Sequence, residues 1–239
     1  MSAQEASEPF NARMHEGGKL SFRARLPEGE VDTGDRLVHG GKDPPPLEDL
    51  VPAAFLRAGA AEVEIGPGKG AFVLASTQAR PDTFVLGIEA APGYAAHAAA
   101  RLAAAGATNG LLLIDNGKLY LQDRVPTASL AAVHVYFPDP WPKRRHAGRR
   151  FFTDDVPAVL ARVLQDGGHL FVATDNPAYA GQVARVMGSA ADFCCDEAER
   201  ARRLELGAGH AFSPTNFERK YIEQGRAIRR WAFRRLRRS

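Results

Sequence analysis

The stretch Ala61-Glu62-Val63-Glu64-Ile65-Gly66-Pro67-Gly68-Lys69-Gly70 decides the fold. Ala61 to Ile65 reads as a buried strand. The three glycines that follow, two residues apart, permit a turn with positive φ that lets backbone approach a ligand closely. A helix from about Lys69 to Ala79 and a second strand, Phe84 to Ile88, come next. Glu89 ends that strand nineteen residues after Gly70, where a carboxylate can accept both hydroxyls of a ribose.

The same alternation runs on toward the C-terminus. Ala91 to Ala105 is helical on its alanine content. Leu111 to Ile114 and Val133 to Phe137 read as the third and fourth strands. A helix over 152–164, closed by Gly167-Gly168, precedes a fifth strand, His169 to Ala173. Asn176-Pro177 then has the form of an N-cap with proline at the first helical position. Basic and apolar residues alternate from Arg226 to Leu236, which suits a last strand. Strand and helix in turn predict an α/β fold, a doubly wound, mostly parallel Rossmann-like sheet with ligands at the carboxyl ends of its strands. Residues 1–46, rich in Gly, Pro and charge, are expected to form a flexible N-terminal arm, and 47–239 one catalytic domain.

Glycine turn plus acid marks a nucleotide site without naming the nucleotide. The pattern G-x-G-x-G at Gly66, Gly68 and Gly70 differs from the G-x-G-x-x-G of NAD folds. The preceding acid, Glu64, would repel a pyrophosphate and favours a cationic head such as the ammonium of S-adenosylmethionine. Asp115-Asn116, at the end of the third strand, is placed to hold an adenine amino group, with an ordinary Asx turn as the alternative.

A second signal lies at the end of the fourth strand, in Phe137-Pro138-Asp139-Pro140-Trp141-Pro142-Lys143-Arg144-Arg145. Three prolines stiffen this loop before anything binds. It brings together an acid, an indole and three cations, a combination that solubility alone does not require. Charge is clustered there and in the tail. Five Lys/Arg and one His lie between Lys143 and Arg150, and nine Lys/Arg against one acid between Arg219 and Ser239, in a chain whose net charge is only +3. Such patches suit a polyanion better than a small neutral substrate. The adjacent Cys194 and Cys195 have no partner pair for a disulfide or metal site, so no metal is expected. Without an apolar run of membrane length or an apolar leader, the expectation is a cytoplasmic protein with no membrane association, and a monomer.

These residues resemble the bacterial tRNA (guanine-N7)-methyltransferases, which are S-adenosylmethionine-dependent class I methyltransferases. The resemblance rests on Glu64-Ile65-Gly66-x-Gly68-x-Gly70, Gly87-Ile88-Glu89, the block from Phe137 to His146, Arg149-Arg150, Thr174-Asp175-Asn176 and Thr215-x-Phe217-Glu218-x-Lys220-Tyr221. It covers about 55–236 in the family's order. It implies that Glu64, Glu89, Asp115 (or its neighbour Asn116) and Asp139 line the cofactor pocket. It also implies that Lys143, Asp175 and the stretch Thr215, Asn216, Phe217 and Glu218 contact tRNA, with a guanine at position 46 of the variable loop as target. The chain departs from the family in lacking a compact arginine-rich lead-in and in carrying Asn116-Gly117 where a small apolar residue is more usual.

Guanine N7 is a lone pair without a proton, so its methylation needs positioning and electrostatics rather than a general base. Asp139 can accept from the Watson–Crick edge of guanine and offset charge growing on the ring, and Asp175 can share that work. Lys143, Arg144, Arg145, Arg149 and Arg150 are expected to hold phosphates. Trp141 either stacks on a base or buttresses the loop. Two other readings are an amino-methyltransferase and a tRNA-binding protein that keeps the fold without activity. One proline before the aromatic in Asp139-Pro140-Trp141 counts against the first, and an intact glycine turn with Glu89 against the second.

Overall fold

The computed structural model describes residues 32–141, 144–206 and 224–237. Lys143, Thr215, Asn216, Phe217 and Glu218 lie outside them, as do Lys220 and Tyr221. Eight strands form one sheet: β1 (Leu37–His39), β2 (Ala61–Ile65), β3 (Phe84–Glu89), β4 (Gly110–Ile114), β5 (Leu130–Tyr136), β6 (Leu164–Thr174), β7 (Phe193–Cys195) and β8 (Arg229–Arg235). Their order is β1-β4-β3-β2-β5-β6-β8-β7. The first six run parallel, while β8 is antiparallel to β6 and β7 antiparallel to β8.

From β2 the chain winds one way through β3 and β4 and then restarts on the other side at β5. The switch point lies between β2 and β5, which pair directly. Ligand crevices open at such points, beyond the carboxyl ends of the strands. Helices α3 (Ala71–Ala79) and α4 (Pro92–Ala104) cover one face, where Phe72, Val73, Ala98 and Leu102 pack on Val85, Leu112 and Ala132. The other face is covered by α5 (Gly117–Arg124), α6 (Val156–Val163) and α7 (Pro177–Gly188) through Tyr120, Leu121, Val156, Leu160 and Val183. The two central strands, β2 and β5, are buried on both faces, and they carry Glu62, Glu64 and His134 among their apolar residues. The doubly wound α/β expectation holds.

Several elements differ from their sequence reading. Leu37–His39, within the first 46 residues, pair with β4 and make the sheet edge. The helix placed over 152–164 is shorter, because β6 begins at Leu164 and runs straight through Gly167-Gly168. Those glycines serve a bulge and do not end a helix. Gly167 has φ +79°, and a Cβ on Gly168 would stand 2.9 Å from the Gln165 carbonyl and 3.0 Å from that of Ala131. The register against β5 shifts there, between Leu130 and Ala132. The helix expected from Lys69 begins at Ala71, because Gly70 takes a left-handed N-cap conformation. Asn176 does cap α7, its Oδ1 accepting from Tyr179 N at 3.0 Å.

Candidate active site

The glycine turn and Glu89 build one wall of the crevice together. Gly66, Gly68 and Gly70 all have positive φ, +69°, +55° and +69°. At Gly70 a Cβ would stand 2.6 Å from the Ala98 Cβ of α4, so only glycine fits there. Glu89 is partly buried; its Oε2 accepts from Gly68 N at 3.0 Å and its Oε1 from Ala91 N at 2.9 Å. Both oxygens thus meet backbone amides and keep lone pairs for a diol.

Glu64 is 3 % exposed and its Oε2 is buried without a hydrogen-bond partner. Burial, helped by the charge of Glu89 and opposed by the Val73 amide, pushes its carboxyl up to about 8. Glu89 is raised too, by burial first and in part by the charge of Asp139. Asp139 stands exposed on the rim, and partial desolvation by the crevice walls lifts its carboxyl above the ordinary range. The charge of Glu89 thus adds to the raising of Glu64, and that of Asp139 to the raising of Glu89, whereas Asp139 is raised by desolvation alone. A cation placed among them would offset these shifts.

The Asp139 turn is held in an unusual conformation. Phe137 and Trp141, on either side of Pro138-Asp139-Pro140, have φ +49° and +40°, which non-glycine residues adopt only where their surroundings enforce it. Phe137 N donates to Ala173 O at 2.8 Å, fixing the turn to β6. The Trp141 carbonyl accepts from Arg150 Nε at 3.2 Å and Nη2 at 2.9 Å, and Arg149 lies over the indole at 5.1 Å. Arg150 thus faces inward, toward the loop. Arg145 and Arg149 are exposed on the short 3-10 segment Arg144–Arg149. Asp175 ends β6 and is paired with Arg226 at 2.7 Å.

At the third strand end, Asp115 Oδ1 accepts from Asn116 N at 2.6 Å. Asn116 Oδ1 caps α5, accepting from Lys118 N at 3.1 Å and Leu119 N at 3.3 Å. Its oxygen is therefore occupied, whereas Asp115 Oδ2 faces the tight Gly40 backbone. Beneath the crevice runs a buried polar chain that sequence reasoning missed. Arg80 donates to both Glu62 oxygens at 2.7 Å, Glu62 meets His134 Nε2 at 2.9 Å, and His134 Nδ1 meets Tyr136 OH at 2.8 Å. The only signal for it was an acid and a histidine inside apolar strands.

A family model, Methyltransf_4, described as a putative methyltransferase, matches residues 59–231. Over 193 residues the chain is 37% identical to the tRNA (guanine-N(7)-)-methyltransferase of Mycolicibacterium gilvum (strain PYR-GCK), covering 74% of this chain and 71% of that protein. The chain belongs to this family. Its relative of the same name in Acidithiobacillus ferrooxidans is 34% identical over 179 residues, 73% of this chain and 75% of the other. That of Rhodopirellula baltica is 44% identical over 124 residues, which make up 48% of this chain and 44% of that protein's length. The doubly wound sheet with its glycine turn and carboxylates is thus that of a class I methyltransferase of the tRNA (guanine-N(7)-) family. Among the described residues no group of three or more His, Cys, Asp or Glu could hold a metal ion, and no helix is long and apolar enough to cross a membrane.

Proposed function

We propose that this protein transfers a methyl group from S-adenosylmethionine to N7 of a guanine in tRNA. The observation that carries this reading is the orphaned, buried Glu64 oxygen beside Glu89, in a chain of this family. A doubly cationic ligand, with an ammonium and a sulfonium, fits such a donor set; a pyrophosphate does not. Glu64 and the Gly66–Gly70 turn would hold its amino-acid end, Glu89 the ribose diol and Asp115 the adenine edge. Because Asn116 spends its oxygen on the α5 cap, Asp115 is the better partner of the two.

When bound, S-adenosylmethionine supplies an electrophilic methyl group on a sulfonium. Its methyl carbon would leave sulfur for N7, and the purine would then carry the positive charge. Asp139, on its rigid turn, accepts from N1–H and the exocyclic amine of guanine and stabilises that charge. No proton leaves N7, so no side chain has to act as base. Arg144 and Arg145, with Lys143, would meet phosphates, Asp175 the edge of the base, and Thr215 to Glu218 a base splayed out of its stack. Position 46 of the variable loop is the target that the family resemblance implies, and a cytoplasmic monomer is the form in which we expect the enzyme to work.

Unmodified tRNA transcript and methyl-labelled cofactor test the reading. Label recovered as 7-methylguanosine supports it. Label on an exocyclic amine would make the protein an amino-methyltransferase, and tight binding without label a non-catalytic one.

A further inference from the structure

Asp139 sits on a turn whose two ends are both left-handed, and the sheet fastens one of them. The Phe137 end hangs on Ala173 of β6. The Trp141 end is fastened from a different element. Arg150 uses Nε and Nη2 on the Trp141 carbonyl, and its Nη1 donates to Gln182 Oε1 of α7 at 2.7 Å. Gln182 Nε2 in turn donates to Phe152 O, whose ring is fully buried and packs edge-on against Tyr179 of α7 at 6.1 Å. Hydrogen bonds from a half-buried guanidinium are strong and directional. The result is a strut from the helix, through one guanidinium, to the carbonyl that ends the turn.

We propose that Gln182 is a positioning residue for Asp139: by orienting Arg150 it holds the Trp141 carbonyl and so the turn that presents the carboxylate. Arg150, read from sequence as a phosphate holder, then serves the loop. Gln182 is 43 residues from Asp139 and carries no motif, so nothing local in the chain marks it. The proposal rests on the guanine-N7 reading for its kinetic consequence, though not for its structural one.

Gln182→Ala is the decisive variant, since alanine favours the helix and the site is only half-buried. Its kcat on tRNA is expected to fall about tenfold, because small misplacements of a positioned group are costly. KM for tRNA, cofactor Kd and the salt dependence of RNA binding should stay within about twofold. Gln182→Glu keeps an acceptor for Arg150 and should recover most of kcat. Independently of any activity, amide exchange at Phe137, whose N–H is held by the Ala173 carbonyl, should rise in Gln182→Ala while exchange in β2 and β3 is unchanged. Parental kcat with parental exchange in Gln182→Ala overturns the proposal. So does equal damage in Gln182→Glu, or a loss confined to RNA affinity with a flatter salt slope, which would return Arg150 to the phosphates. If the parent enzyme forms no 7-methylguanosine, the function is misread, and the exchange measurement still decides the strut.

Discussion

His134 and Glu62 meet at 2.9 Å on neighbouring strands with almost no exposure to water, His134 at 1 % and Glu62 at 6 %. Burial alone would raise Glu62, but the hydrogen bonds and charges of His134 and Arg80 outweigh it and hold the carboxyl well below its ordinary range. Burial keeps His134 low, hence neutral. The ion pair is therefore Arg80 with Glu62, and His134 carries the contact on to Tyr136, the residue before the Asp139 turn. Glu62→Gln should cost about 3 kcal/mol, since it leaves a guanidinium poorly compensated in the interior. Denaturant unfolding of parent and variant measures it. The sign with pH follows from a depressed folded value. The contribution is complete above the ordinary carboxylate range and is lost as pH falls below it, so the two proteins should converge in acid.

Glu64 behaves in the opposite sense. Its folded value, about 8, lies above the unfolded one, so its contribution to stability is complete below the ordinary carboxylate range and is lost as pH rises through about 8. A cationic ligand reverses the preference. Binding of S-adenosylmethionine at pH 7 should expel close to one proton, about one at most from this group, and affinity should climb toward pH 8. Calorimetry in two buffers of different ionisation heat reads the proton directly. In Glu64→Gln the release should fall, and an unchanged release would assign the proton elsewhere.

Gly70→Ala combines a forbidden backbone with a forbidden contact. With φ +69° and Ala98 Cβ at 2.6 Å, α4 must retreat or the turn must open. A stability loss of about 1 to 3 kcal/mol is expected, with a weakened cofactor Kd if, as proposed, the turn holds the cofactor. Thermal melting with and without cofactor separates the two effects. Gly66→Ala is the control: it has the same φ but open space around it, and should be the milder change.

Asp139→Ala should abolish turnover, with a loss of at least about a hundredfold, while tRNA affinity is largely kept. Single-turnover kinetics at saturating tRNA give the chemical step directly. Normal turnover in that variant would remove Asp139 from the mechanism.

Replacing Lys143, Arg144 and Arg145 together by alanine should weaken tRNA binding and flatten its salt dependence by about 0.7 to 0.9 per lost phosphate contact. Filter binding at several salt concentrations checks this. The cofactor Kd should not move.

The sequence by itself determined the frame of this protein. Strands β3, β4 and most of β5 read as apolar runs because they are buried on both faces, and the glycine turn was visible because only glycine takes positive φ cheaply. Glu64, Glu89 and Asp139 could be singled out as candidates because ligands of a parallel sheet lie beyond the carboxyl ends of its strands, whatever the intervening residues are. The three-residue strand Leu37–His39 is too short to show a period, and α5 has no clear apolar stripe beyond its Asn116 cap. Only the tertiary structure decided which side chains act together. Arg150 was read as a surface cation until the fold turned it onto Trp141 and Gln182, and Glu62 found His134 and Arg80 only when β2, β5 and the end of α3 came together. Local preference follows from neighbours along the chain, whereas partners for buried polar groups are set by residues tens of positions away, which no local pattern records.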